Sequence, residues 1–189
     1  MNTAALSTAK TQLRSVMKQR LANLSSDSIT SQREGPARLM DMVSLRGMED
    51  YESLQRDKWG IPSVDAKSVN ERQRSVGELD GNRSEDISLD LILMPGVAFD
   101  VDPRSGVVRR LGHGKGFYDY FFHRYALAAP SEKAPDRRPT VLLYALALKE
   151  QLLSPDSGES VPVGPHDQPI DGVFLGDGKF IESAKEPVD

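Results

Sequence analysis

The sequence predicts an α/β fold, on three observations. Apolar runs at residues 89–94, 141–148 and 170–175 have the length and content of buried strands. Apolar residues recur at helical spacing through residues 3–24 and again through 117–128. The chain of 189 residues, 38% hydrophobic and 28% charged, has the make-up of one soluble globular domain, expected to span residues 1–189.

The elements follow in order. Leu6, Leu13, Met17, Leu21 and Leu24, with Lys10, Arg14, Lys18 and Gln19 among them, make an amphipathic first helix. Ser25, Ser26 and Asp27 stop it and can cap a second helix, with Ile29 as its first buried position. That helix ends after Gln32, because Arg33-Glu34-Gly35-Pro36 breaks any helix. Residues 39–45 alternate like a short strand, and 47–88 read as a polar connection with one apolar island, Trp59-Gly60-Ile61-Pro62. The run at 89–94, interrupted by Asp90, is closed by Pro95-Gly96. Val97-Ala98-Phe99 runs into Asp100, and a polar turn at 102–106 leads to Val107-Val108 and a glycine-rich loop. The helix at 117–128 starts on that loop, with Tyr118, Phe121, Phe122 and Tyr125 as its apolar contacts. A charged loop at 130–139 precedes the second strand, after which Lys149-Glu150-Gln151-Leu152 can form a short helical turn. Beyond an extended, proline-containing stretch lies the third strand; Gly176-Asp177-Gly178 is a turn, and Lys179-Phe180-Ile181 pairs back as a hairpin.

Composition excludes several function classes. A formal charge of -4 and a pI near 5.5 give no general attraction for nucleic acid or an anionic membrane, so no partner of either kind is expected. The absence of cysteine rules out disulfides, thiolate metal sites and cysteine nucleophiles. The first twenty residues hold no apolar run of secretory length, and no run of about 18 apolar residues is present to span a bilayer. A cytoplasmic protein is expected.

Chemistry concentrates in Arg110-Leu111-Gly112-His113-Gly114-Lys115-Gly116-Phe117-Tyr118-Asp119. Three alternate glycines free the backbone to turn successive N–H groups toward an anion, and the helix behind them adds partial positive charge. Arg110 supplies a bidentate fork and Lys115 a movable point charge. The spacing matches neither the Walker loop nor the dinucleotide fingerprint. Glycine spacing alone fits a plain strand-to-helix turn equally well; the two cations and the Tyr-Asp exit favour a phosphate site.

Leu91-Ile92-Leu93-Met94-Pro95-Gly96-Val97-Ala98-Phe99-Asp100, followed by the glycine-rich segment, resembles the signature of the 5-formyltetrahydrofolate cyclo-ligase family. Lys10 to Arg14 is similar to that family's N-terminal K-x-x-x-R, and Trp59-Gly60-Ile61-Pro62 to its W-x-I-P element. Ala147-Leu148-Lys149-Glu150-Gln151, His166-Asp167 and Asp171 resemble its C-terminal signature. The resemblance implies a three-layer, Rossmann-like sheet flanked by helices. It also implies use of ATP and Mg2+ to cyclise 5-formyltetrahydrofolate to 5,10-methenyltetrahydrofolate; a monomer is expected.

Carried over by residue, the resemblance implies that Lys10, Arg14 and the segment from Arg110 through Leu111, Gly112, His113, Gly114, Lys115, Gly116 and Phe117 to Tyr118 hold ATP. Within it, Lys115 and Arg110 would neutralise the transferred phosphoryl group. Asp119 and Asp171 would hold Mg2+, and Trp59 and Tyr118 would wall the folate. Read without the family, Lys10 and Arg14 fit a solvated helix face. Asp119 fits a charge at a helix start, Asp171 a strand-end turn, and the two aromatics core positions. His113 stands where the family varies and is read as a loop side chain near phosphate. One departure is marked: residues after Gln32 resemble family sequence from beyond a strand-helix-strand unit, so about 30 residues are missing at the Gln32/Arg33 junction. A family Met and Glu that face the substrate have no counterpart. An inactive nucleotide- or folate-binding relative, or a truncated isoform, is therefore the alternative.

Overall fold

The structure, a computed structural model, describes residues 2–32, 89–128 and 141–184. The expected strand at 39–45, the Trp59 island, the charged loop at 130–139 and the downstream side of the Gln32/Arg33 junction lie outside the described residues.

Helix α1 (Thr3–Ala22) is capped by Asn2, whose side chain accepts from the Ala4 amide. Ser25 caps α2 (Ser26–Ser31) in the same way, its side chain accepting from Ser28. The buried position of α2 differs from expectation. Ile29 is exposed, and the polar Gln32 at the helix end is buried instead. It remains satisfied, its Oε1 accepting from the Lys149 amide at 2.8 Å and its Nε2 donating to Glu150 at 2.8 Å.

Four strands form a mixed sheet in the order β1 (Leu91–Leu93), β4 (Leu142–Ala147), β5 (Gly172–Leu175), β6 (Phe180–Glu182). The first three are parallel, with Leu91 opposite Leu142 and Tyr144 opposite Gly172; β6 returns antiparallel as the expected hairpin. With its flanking helices this is the expected α/β arrangement. One face is built from Ile92, Leu143, Ala145, Ala147 and Val173, packed with Phe122 and Tyr125 of α3 (Phe117–Ala128). On β4 the side chains alternate, so Tyr144 meets Phe174 and Phe180 at ring separations of 5.6 and 5.5 Å.

Strands β2 (Ala98–Val101) and β3 (Val108–Leu111) form a separate antiparallel hairpin. Strand β2 runs through Asp100 to Val101, and the polar turn follows at 102–106 as expected. Strand alternation lets the hairpin separate two cores. Phe99 and Val108 join the sheet core, whereas Ala98 and Leu111 pack with Leu13 and Met17 of α1 and with Leu153 and Val161. Asp100, on the α1 side, is buried and accepts from Arg109 Nε at 2.7 Å and from the Val161 amide at 2.8 Å. Its hydrogen bond to Arg109 holds that guanidinium above its ordinary pKa. In the turn, the Arg104 amide donates to Asp102 and holds that carboxyl below its ordinary value. Among the described residues, no helix is long and apolar enough to cross a membrane.

Candidate functional site

The hairpin and α1 position the site because the smaller core fixes one against the other. Burial of Leu13 and Met17 leaves Lys10 and Arg14, on the adjoining helix face, pointing over the loop that follows β3. Arg14 Nε donates to the Gly112 carbonyl at 2.9 Å, so the helix holds the loop directly. At Gly114 φ is +96°, and an added Cβ would lie 3.2 Å from the Arg14 guanidinium carbon. The backbone conformation requires glycine there, and a side chain would also press on the Arg14 guanidinium.

The result is a cavity of about 440 Å³ between α1, the loop and the start of α3. Lys10, Arg14, Arg110 and Lys115 line it, as do Leu111, Gly112, His113, Gly114, Gly116, Phe117 and Tyr118. Every expected nucleotide-contacting residue is therefore brought to one place. Tyr118, expected among the helix's apolar contacts, is instead exposed at the cavity; Phe122 and Tyr125 carry the packing.

Two carboxylates face these four cations. Asp167 accepts from Lys10 Nζ at 2.6 Å, and Asp119 accepts from Arg110 Nη2 at 2.6 Å. Arg110 is 7% exposed, and its Nη1 donates to the Pro95 carbonyl at 3.0 Å. Its buried Nε has no hydrogen-bond partner among the described residues. Lys115 has no ion-pair partner there either and stands exposed at the rim. Four cations against two carboxylates make the cavity electropositive within an acidic protein, a local field suited to a polyphosphate.

The expected pairing of Asp119 with Asp171 is not what the structure brings together. Asp171 immediately precedes β5, and its carboxylate accepts from the Leu143 amide at 2.7 Å. Burial, and then the negative charges of Asp171 and Glu182, raise the pKa of the Tyr144 phenol. Asp171 thus serves the edge of the β4–β5 pairing and does not line the cavity. The carboxylate that does is Asp167, four residues earlier, where the chain crosses from the proline-containing stretch toward the sheet. The Lys10–Asp167 pair spans 157 positions, so no local spacing marks it. Among the described residues, no group of three or more His, Cys, Asp or Glu side chains is arranged to hold a metal. Trp59 lies outside the described residues.

The 5-formyltetrahydrofolate cyclo-ligase family model matches residues 29–176. A Saccharomyces cerevisiae 5-formyltetrahydrofolate cyclo-ligase is 41% identical over 92 residues, covering 49% of this chain and 36% of that protein. The Mus musculus protein of the same name is 33% identical over 138 residues, 73% of this chain and 54% of that protein. An Arabidopsis thaliana relative, named as mitochondrial, is 38% identical over 118 residues, 60% of this chain and 38% of its own length. The chain thus spans about half or less of the length of these relatives. With more than half of its residues matched by the family model, and the glycine-rich loop and its cations assembled in one cavity, the chain belongs to the 5-formyltetrahydrofolate cyclo-ligase family.

Proposed function

We propose that the chain binds ATP in the cavity between α1 and the 112–116 loop and uses it to cyclise 5-formyltetrahydrofolate to 5,10-methenyltetrahydrofolate, releasing ADP and phosphate. The observation that carries this reading is the convergence of Lys10, Arg14, Arg110 and Lys115 on the loop. An N5-formyl group has no leaving group on its carbonyl carbon. Attack of the formyl oxygen on the terminal phosphorus breaks the bond to ADP and supplies one. N10 then attacks the activated carbon, forming the C–N bond as the C–O bond breaks and phosphate leaves; the N10 proton passes to solvent. The protein is asked to orient and to neutralise charge, more than to make bonds. Lys115 and Arg110 carry the phosphoryl charge, Arg14 keeps the loop against the phosphates, and Tyr118 offers a ring to the folate. Asp119 and Asp167, the two carboxylates that line the cavity, would hold Mg2+, a hard cation that takes oxygen ligands, by yielding part of their present bonds to Arg110 and Lys10. Bound there, Mg2+ would supply further neutralisation of phosphate charge.

Growth of the methenyl absorbance band on mixing protein, ATP, Mg2+ and 5-formyltetrahydrofolate tests the reading; no ATP-dependent growth with the purified chain would refute it. Binding of ATP without that growth would select a second reading, a relative that binds without turnover, favoured by the limited span of this chain along its relatives. The reading takes the protein as a cytoplasmic monomer, which cell fractionation against a mitochondrial location and light scattering would check.

Two substitutions probe the roles. Lys115→Ala is expected to weaken ATP binding about tenfold, the value of one charge-assisted hydrogen bond, with an unchanged circular dichroism spectrum. Calorimetric titration showing wild-type affinity would remove Lys115 from the phosphate site. For the metal, Asp119→Asn and Asp167→Asn are each expected to raise the Mg2+ needed for half-maximal activity, and Asp171→Asn to leave it unchanged while lowering thermal stability. A shifted Mg2+ titration in the Asp171 variant alone would return the metal role to that residue.

A further inference from the structure

We infer that Gln151 is a positioning residue for the phosphate site, acting through the Pro95-Gly96-Val97 turn on Arg110 and on the start of the glycine-rich loop. It rests on the proposed ATP reading for its effect on nucleotide, but its structural half stands on contacts alone. Gln151 closes the single helical turn Lys149–Gln151 after β4. Its Oε1 accepts from the Leu148 amide at 2.9 Å, which fixes the orientation of the side-chain amide. Nε2 is thereby aimed at the turn after β1, where it donates to the Gly96 carbonyl at 2.9 Å and the Val97 carbonyl at 3.3 Å.

That turn touches the site at two points. The Pro95 carbonyl accepts from Arg110 Nη1 at 3.0 Å, and the Val97 amide donates to the Leu111 carbonyl at 2.7 Å. Between them Gly96 lies against the Phe99 ring and the Arg110 side chain; an added Cβ would sit 2.5 Å from the Phe99 ring and 3.0 Å from Arg110 Cγ. The turn is thus pressed onto the arginine with no slack. With one Nη held by Pro95 and the other by Asp119, the guanidinium has a fixed plane, and Gln151 holds the backbone that sets it. Gln151 itself is absent from the cavity wall, so its influence is indirect. The amide group is specifically needed: only a side chain that both accepts and donates can take the Leu148 amide and serve two carbonyls.

Gln151→Leu and Gln151→Glu test the inference in the full chain. Leucine keeps the volume and loses the amide. Glutamate keeps the acceptor for the Leu148 amide but donates to Gly96 only as the neutral acid. In the unliganded protein, amide hydrogen exchange is expected to quicken at 95–97 and 110–116 in Gln151→Leu, while 142–147 and 172–175 keep their protection. With Mg2+ and a non-hydrolysable ATP analogue, Kd is expected to rise about tenfold for Gln151→Leu at every pH, and for Gln151→Glu at about pH 8. The glutamate variant should recover toward wild type as its carboxyl becomes protonated, after normalisation to the wild-type profile, and the confinement of faster exchange to 95–97 and 110–116 sets positioning of the loop apart from general support of the fold. Wild-type exchange at 110–116 in both variants would overturn the inference, as would faster exchange with unchanged affinity. If the wild-type chain bound no analogue, the ATP reading would fail, and the exchange measurement would still decide whether Gln151 orders the loop.

Discussion

Arg110→Ala is expected to abolish measurable turnover and to lower the affinity for ATP by about a hundredfold, the largest loss of any single substitution at the site. The guanidinium is almost wholly buried and makes charge-assisted bonds to both Asp119 and the Pro95 carbonyl. Truncation removes a cation from the cavity and leaves Asp119 with the 3.3 Å bond from the Gln168 amide but no cation, so the field there weakens twice. Stability should fall as well, by about 2–4 kcal/mol, because a carboxylate loses its charged donor and the Pro95 carbonyl loses the guanidinium. Arg110→Lys separates charge from geometry: one ammonium cannot span both acceptors in the plane of a fork. It should restore part of the stability and little of the turnover. Urea unfolding, calorimetric titration with an ATP analogue and methenyl formation measure the three effects. Arg110→Ala with unchanged affinity would show that the cation serves the fold alone.

Asp100→Ala is expected to be the most destabilising change outside the cavity, costing about 3 kcal/mol. Arg109, with a side chain 15% exposed, would keep only its 3.2 Å contact with Asp102, and the buried Val161 amide would lose its acceptor. The partial exposure of Arg109 and its remaining contact are why the cost falls at the lower end for a broken buried pair. Asp100→Asn retains an acceptor and should cost about half as much. Since Asp100 faces the α1 side of the hairpin, nucleotide affinity measured well below the melting temperature should be near that of wild type. A melting temperature within a degree of wild type for the alanine variant would contradict the role given to this ion pair.

What the sequence made legible has a physical pattern. The strands at 91–93, 142–147 and 172–175 were readable because buried parallel strands are continuous apolar runs. Helix α3 was readable from Phe117 to Ala128 because the glycine loop fixes its start. The phosphate loop was readable for the same local reason, glycines and cations within ten positions. Elements decided by distant partners were hidden. Nothing in the sequence marks Asp100 as a buried carboxylate until Arg109 and Val161 are seen around it. Gln32 carries no local sign of burial, and its partners are distant, the Lys149 amide and Glu150; Ile29, expected to be buried, is exposed. Of two aspartates four positions apart, Asp171 is claimed by the Leu143 amide and Asp167 by Lys10, a choice made by the path of the chain and by no spacing in it.

The adjacent arginines of β3 carry a consequence for how the hairpin finds its register. Arg109 pairs across the hairpin with Asp100 on one face, while Arg110 beside it turns to Asp119 and Pro95 on the other. A slip of one residue would invert every side chain of the strand. It would send Arg110 toward Asp100 in the α1 core and swing Arg109 toward the cavity, and the swap would look chemically conservative because both are arginines. What forbids it is the company they keep: Val108 and Leu111 would exchange cores, and the glycine loop would begin one position away from Arg14. Identical charges on opposite faces thus leave electrostatics nearly blind to the error. Shape, in the form of two dissimilar hydrophobic clusters, acts as the proofreader that delivers the right arginine to the site.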